Sequence, residues 1–147
     1  MGRFLIRREK GHDIIPELAP LPEEVVIDKP GRGAFTNTKL DAVLRAKRIR
    51  NLVICGVTAD ACVSSTVREA SDRGYDVLVV EDGVESTNDD LKSWSLESIK
   101  AEGGLFGVTA DSEAVLKAVE SWVCDETGRA QDKNGSGNVR AATLLLA

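Results

Sequence analysis

Two side chains able to do covalent chemistry stand out by position. Cys62 comes after the apolar run NLVICGV (51–57), where the loop TAD turns into a helix-forming segment, and Lys29 directly follows EVVID (24–28). A thiol at a helix N-terminus lies beside unpaired amides and the positive end of the dipole, and a nearby ammonium further favours the nucleophilic thiolate. The same amides could hold the oxyanion that forms when a thiolate attacks a carbonyl carbon, so acyl transfer is the chemistry implied. A plainer reading also fits, because cysteine is often a small buried hydrophobe and a lysine after a strand is often a solvated charge. Spacing alone favours that plainer reading.

The remaining reactive groups offer less. Cys55 lies within an apolar run and reads as core, while Cys124 reads as an incidental thiol. Three cysteines without CxxC spacing make neither a disulfide framework nor a zinc site and point to a reducing compartment. His12 is the sole histidine and sits in a loop without a recognisable partner, so a structural or surface role is expected. Gly31 and Gly33 in KPGRGAF meet neither the P-loop nor the dinucleotide spacing, which leaves a flexible pocket rim.

Positioning these residues requires strands that end at one edge. The runs EVVID (24–28), NLVICGV (51–57), DVLVVED (76–82) and GLFGV (104–108) have strand length, and each precedes a helix-like segment. Thr38 is suited to open the first helix, with Asp41 near the positive end of its dipole. The second segment, ACVSSTVREASDRG, places Cys62, Thr66 and Ala70 along one face and closes at Gly74. A third helix is expected from Asp89 to Glu102 and a fourth over SEAVLKAVESW. Near-continuous Val, Ile and Leu in the strands predict a doubly wound parallel sheet in a three-layer α/β/α domain. Ligands in such sheets bind beyond the carboxyl ends of the strands, the edge to which Lys29 and Cys62 both belong.

One domain, residues 1–123, accounts for these elements, and the polar, Gly-rich stretch 124–147 reads as a disordered tail. A net charge of -5 argues against nucleic acid or anionic lipid as a partner. The apolar run at the N-terminus is too short for a signal peptide, and no stretch reaches membrane-spanning length. A cytoplasmic protein is expected.

The segment VIDKPGRGAFTNTKLDAVLRAKRIRNLVICGVTADACVSSTVREASDRGYDVLVVED resembles the isochorismatase-like cysteine hydrolases along its whole length. Its marks are a lysine ahead of Pro-Gly-x-Gly-Ala-Phe, then GVTADACV, then a helix ending in DRGY and a strand ending in ED. The likeness spans residues 3 to 122. It implies Cys62 as nucleophile and Lys29 as its partner in a set of Asp, Lys and Cys. It also implies a cis peptide between Val57 and Thr58, an oxyanion hole from the amides of Thr58 and Cys62, and Phe35 and Arg32 near the substrate opening. The implied reaction is hydrolysis of a C–N bond in a small amide or ureido substrate through a covalent acyl-enzyme. No cofactor or metal is implied, and a homo-oligomer is expected, since family members are usually oligomers.

The resemblance implies an Asp at the end of a first strand, and the chain is expected to begin beyond the matching position. Asp28 cannot easily substitute, because strand alternation points it away from its neighbour Lys29. Asp60 lies near Cys62 but does not match the family position. The resemblance further implies that two family strands belong between the Lys29 and Cys62 strands. At about 4.8 Å per strand, the two side chains would meet only with those strands supplied or after the sheet re-pairs. The alternative function is therefore a non-catalytic, truncated homologue that serves as a binding or assembly module.

Overall fold

A computed structural model describes residues 6–123 and 141–146. Strands β1 (Asn51–Val57), β2 (Asp76–Glu85), β3 (Val108–Ala110) and β4 (Ala141–Leu146) form one sheet in the order β3-β2-β1-β4. All three pairings are parallel, with Asn51 opposite both Asp76 and Ala141. Helices α1 (Leu40–Ala46), α2 (Ser64–Asp72), α3 (Asp89–Gly104) and α4 (Ser112–Val123) flank it. The chain steps from β1 to β2 to β3 in one direction and returns to β4 on the far side of β1. That reversal of strand order is the mark of the doubly wound layout expected.

Alternation along β1 buries Leu52 and Ile54 on one face, and Val77 and Val79 of β2 join them. Val63, Val67 and Ala70 from the second helical segment and Ile99 of α3 complete this core, each inaccessible to solvent. Leu40 and Leu44 of α1 pack into the same cluster. The other face of β1 is only half-buried at Val53 and Cys55.

The helix ends follow the sequence closely. The Thr38 hydroxyl accepts the Leu40 N–H at 3.2 Å, as its capping role requires. Gly74 takes φ +80 after α2, so that Gly74 N–H reaches Ser71 O at 2.9 Å and Tyr75 N–H reaches Ala70 O at 3.0 Å. This paired closure favours glycine, which carries no Cβ to clash at positive φ. Asn88 caps α3 by accepting from Asp90 and Leu91 N–H, and α3 loses helical geometry at Ala101, Glu102 and Gly103, near its expected end.

Three expectations are corrected. Residues 24–28 form no strand, and Val25 and Val26 are exposed. Propensity does not suffice without a ladder partner, and the free side of β1 is taken by β4. The strand expected over 104–108 starts only at Val108, because residues 104–107 are spent on the turn out of α3. Residues 141–146, expected within the tail, pair along β1 from Asn51 to Gly56. The rest of that tail, 124–140 and 147, lies outside the described residues, as does Cys124. Among the described residues no helix is long and apolar enough to cross a membrane.

Candidate active site

Strand β1 delivers the chain to the carboxyl edge of the sheet, and the peptide bond between Val57 and Thr58 is cis. Residues Ala59–Val63 then form a wide helical turn before α2 begins at Ser64. The Thr58 carbonyl accepts the N–H groups of Ala61 and Val63, both at 3.1 Å, which flank that of Cys62. Ala59 and Val63 are buried, so the turn is pinned at both ends while the half-buried Cys62 faces outward.

Lys29 Nζ donates to Cys62 Sγ at 3.3 Å and to the Gly31 carbonyl at 3.2 Å. The structure thus brings together two groups expected to meet only with two further strands supplied or after the sheet re-pairs, and β4 does take the free side of β1. That expectation presupposed residues 24–28 in a strand, whereas they run outside the sheet and carry the lysine to the end of β1. Asp28 pairs with Arg7 at 2.7 Å and makes no recorded contact with the Lys29 ammonium, which bonds to Cys62 and Gly31 instead. His12 approaches the same carboxylate to 4.0 Å, on the surface.

The Asp60 carboxylate accepts from the Ser86 hydroxyl beyond the end of β2, a bond that holds its pKa below the ordinary value, with a smaller contribution from the turn's own backbone and Thr58. The Cys62 turn is thereby tied to the next strand. Cys55 differs from Cys62 in its surroundings, since burial on the sheet face pushes its thiol pKa up. Such a thiol is less available as a thiolate.

Phe35, expected at the substrate opening, is a core residue with 5% of its surface exposed. Its ring packs 5.6 Å from that of Tyr75, at the start of β2 and so at the opposite sheet edge from Cys62. A large apolar ring gains more from that burial than from a solvated rim. Arg32 is exposed in the lysine loop. Two shallow cavities, of about 460 Å³ beside Arg45, Arg48, Arg50, Arg73 and Tyr75 and about 540 Å³ beside Val26, Asp28 and Lys39, touch neither Lys29 nor Cys62. Among the described residues no three His, Cys, Asp or Glu side chains gather to hold a metal ion.

Sequence reading missed the side chains that hold the lysine loop in place. Thr66 Oγ1 accepts the buried Ala34 N–H at 3.1 Å, and Glu69 accepts from Phe35 N–H at 3.0 Å and from the Thr36 hydroxyl. The signal available was their spacing, because Thr66 and Glu69 lie four and seven residues beyond Cys62 on a helical repeat.

Comparisons with known proteins give the family and the fold. Ureidoacrylate amidohydrolase RutB of Yersinia enterocolitica is 32% identical over 120 residues, 81% of this chain and 51% of the relative. The chain spans about a third to a half of the length of the curated relatives it matches. An isochorismatase-like hydrolase from Alkaliphilus metalliredigens superposes with a TM-score of 0.75 at 26% identity, covering 80% of this chain and 62% of that one. N-carbamoylsarcosine amidase from Thermoplasma acidophilum gives 0.67 at 30% identity, covering 76% and 62%. The Isochorismatase domain model matches residues 1–114, a span that holds the sheet-edge turn, the lysine loop and their shared contact, and the chain belongs to that family.

Proposed function

We propose that the protein is a cysteine hydrolase that cleaves the C–N bond of a small amide or ureido compound. The observation that carries this reading is the 3.3 Å approach of the Lys29 ammonium to the Cys62 sulfur at the carboxyl edge of a parallel sheet. Relatives named as a ureidoacrylate amidohydrolase and an N-carbamoylsarcosine amidase support the substrate class. In the reaction, the Cys62 thiolate attacks the substrate carbonyl carbon, and the developing oxyanion is received by the amides of Thr58 and Cys62. The C–N bond breaks as the nitrogen takes a proton, leaving a thioester. Water then attacks the thioester, releasing the acid and restoring the thiol. Lys29 supplies positive charge beside the sulfur, and Arg32, exposed on the same loop, would meet a substrate carboxylate.

Ammonia release from ureido acids, nicotinamide and biuret tests this reading. Release by the wild-type chain and its loss in Cys62→Ala are expected; no release above that variant overturns it. One observation favours a second reading. Among the described residues no carboxylate pairs with Lys29, so the proton transfers have no evident acidic agent, and general acid–base help is commonly worth about 10²–10⁴-fold. A homologue without that agent would act as a binding or assembly module. A cooperatively melting monomer without partner would count against it.

A further inference from the structure

Resting on Lys29 as the partner of Cys62, we propose that Glu69 is the positioning residue that latches the lysine loop onto α2 and so sets the ammonium against the sulfur. The loop from Val25 to Gly33 has no ladder to hold it. Ile27 packs partly buried against the core, and the hydrogen-bonded attachment to α2 is at residues 34–36, whose three donors all land on that helix. Ala34 N–H goes to Thr66, and Phe35 N–H and the Thr36 hydroxyl share the two oxygens of Glu69. An ionised carboxylate can accept at both oxygens at once, and such charge-assisted bonds are roughly twice as strong as neutral ones.

Glu69 stands two helical turns beyond Cys62, so the latch and the sulfur ride on one continuous helical segment. Only four residues separate Lys29 from Ala34, which makes the tether short. Gly33 is shaped to the latch, because a Cβ added there would collide with the Glu69 carboxylate. The loop's own sequence therefore leaves room for that side chain. Glu69 bonds to Phe35 and Thr36 while the ammonium bonds to Gly31 and Cys62, so its effect on the pair passes through the loop.

The test measures charge beside Cys62 without relying on turnover. The full chain is alkylated at low ionic strength with iodoacetate and, separately, iodoacetamide, and modification of Cys62 and Cys55 is followed by peptide mass spectrometry. The reagents are similar in size, so the ratio of their rates at one thiol largely cancels access and reports local charge. Lys29→Ala is expected to lower the acetate-to-acetamide ratio at Cys62 by about three- to tenfold. Glu69→Gln and Gly33→Ala are expected to lower it comparably, while Glu69→Asp retains most of it. Removing the Glu69 charge would by itself raise the ratio, so a fall has the sign of a displaced ammonium rather than of bulk electrostatics. If Lys29→Ala lowers the ratio and both Glu69→Gln and Gly33→Ala leave it unchanged, the latch is overturned and the lysine–cysteine pairing stands. If Lys29→Ala changes nothing, the pairing fails and the latch with it. A matching rise in Cys55 alkylation in Glu69→Gln would assign the change to a loosened sheet and also overturn the proposal.

Discussion

The cysteine turn and the lysine loop reach the same point in space by different means. The turn is an extension of β1, which pairs with strands on both sides, and it is closed by buried Ala59 and Val63. Its position is set by backbone ladders and by the core beneath them. The loop has no ladder and rests on the core through the partly buried Ile27, while Val25 and Val26 are 44% and 54% exposed. It is attached by a few side-chain bonds to α2 and by Phe35, which is buried against Tyr75. Segments of the first kind open only with the whole domain, whereas those of the second kind can detach locally at a fraction of that free energy. One half of the candidate pair is thus rigid by cooperativity and the other by local attachment.

The largest expected effect separates these cases from the side of the turn. Ile54 is fully buried in β1, and Ile54→Ala should cost about 2–5 kcal/mol of global stability through lost burial and the cavity left behind. Urea denaturation should show one cooperative transition at lower denaturant, with turn and sheet lost together. Next in size is Thr66→Val, which leaves the buried Ala34 N–H without its acceptor at a cost of about 1–3 kcal/mol. Here hydrogen exchange is the sharper measurement, since the Ala34 amide should accelerate far more than that of Leu52. Equal acceleration at both sites would break the distinction between the regions.

How much of this was legible in the sequence follows the same division. The runs at β1 and β2, the Thr38 cap, the Gly74 closure and the position of Cys62 could be read because local pattern and tertiary structure agree there. The lysine loop was misread as a strand, since EVVID has the composition of one and only pairing decides. The strand at Ala141–Leu146 was hidden by the polar stretch before it, although ATLLL has the apolar run a buried strand needs. Cys62 and Lys29 stand out in the sequence by residue type and motif. Their contact was not foreseen, because it depends on Thr66 and Glu69, whose hydrogen bonds span more than thirty residues. Phe35 was placed at the opening by resemblance alone, and its ring instead took the buried site against Tyr75.

A smaller, pH-dependent effect probes the far anchor of the loop. Tyr75 donates to Asp41 Oδ1 at 2.8 Å, and Arg45 Nε donates to Oδ2 of the same carboxylate at 2.8 Å. The arginine bond first, and the tyrosine bond second, hold the Asp41 pKa below its ordinary 3.8. A carboxylate depressed on folding contributes stability above its unfolded value, and that contribution is lost as pH falls through the folded one. Tyr75→Phe keeps the ring against Phe35 and removes the donor. It should cost about 1 kcal/mol at neutral pH, and the difference from wild type should shrink once pH drops below 3.8 towards the lower folded value. Urea melts at both ends of that range measure it, and a cost that grows in acid would contradict the assignment.

The smallest expected effect tests how finely the loop's attachment is divided. Arg73 lies one turn beyond Glu69, with its guanidinium 4.9 Å from the centre of the Phe35 ring and Nη1 donating to the Glu69 carbonyl at 2.8 Å. It is exposed, so its stacking should contribute only about 0.5–1 kcal/mol. Arg73→Ala should leave exchange within β1 almost unchanged and raise it modestly over residues 34–38. Arg73→Lys keeps the charge but loses the planar stack and should fall between the two. If Arg73→Ala accelerated exchange in β1 as much as in the loop, the guanidinium would belong to the cooperative core, and the boundary between the two regions would have to move past the end of α2.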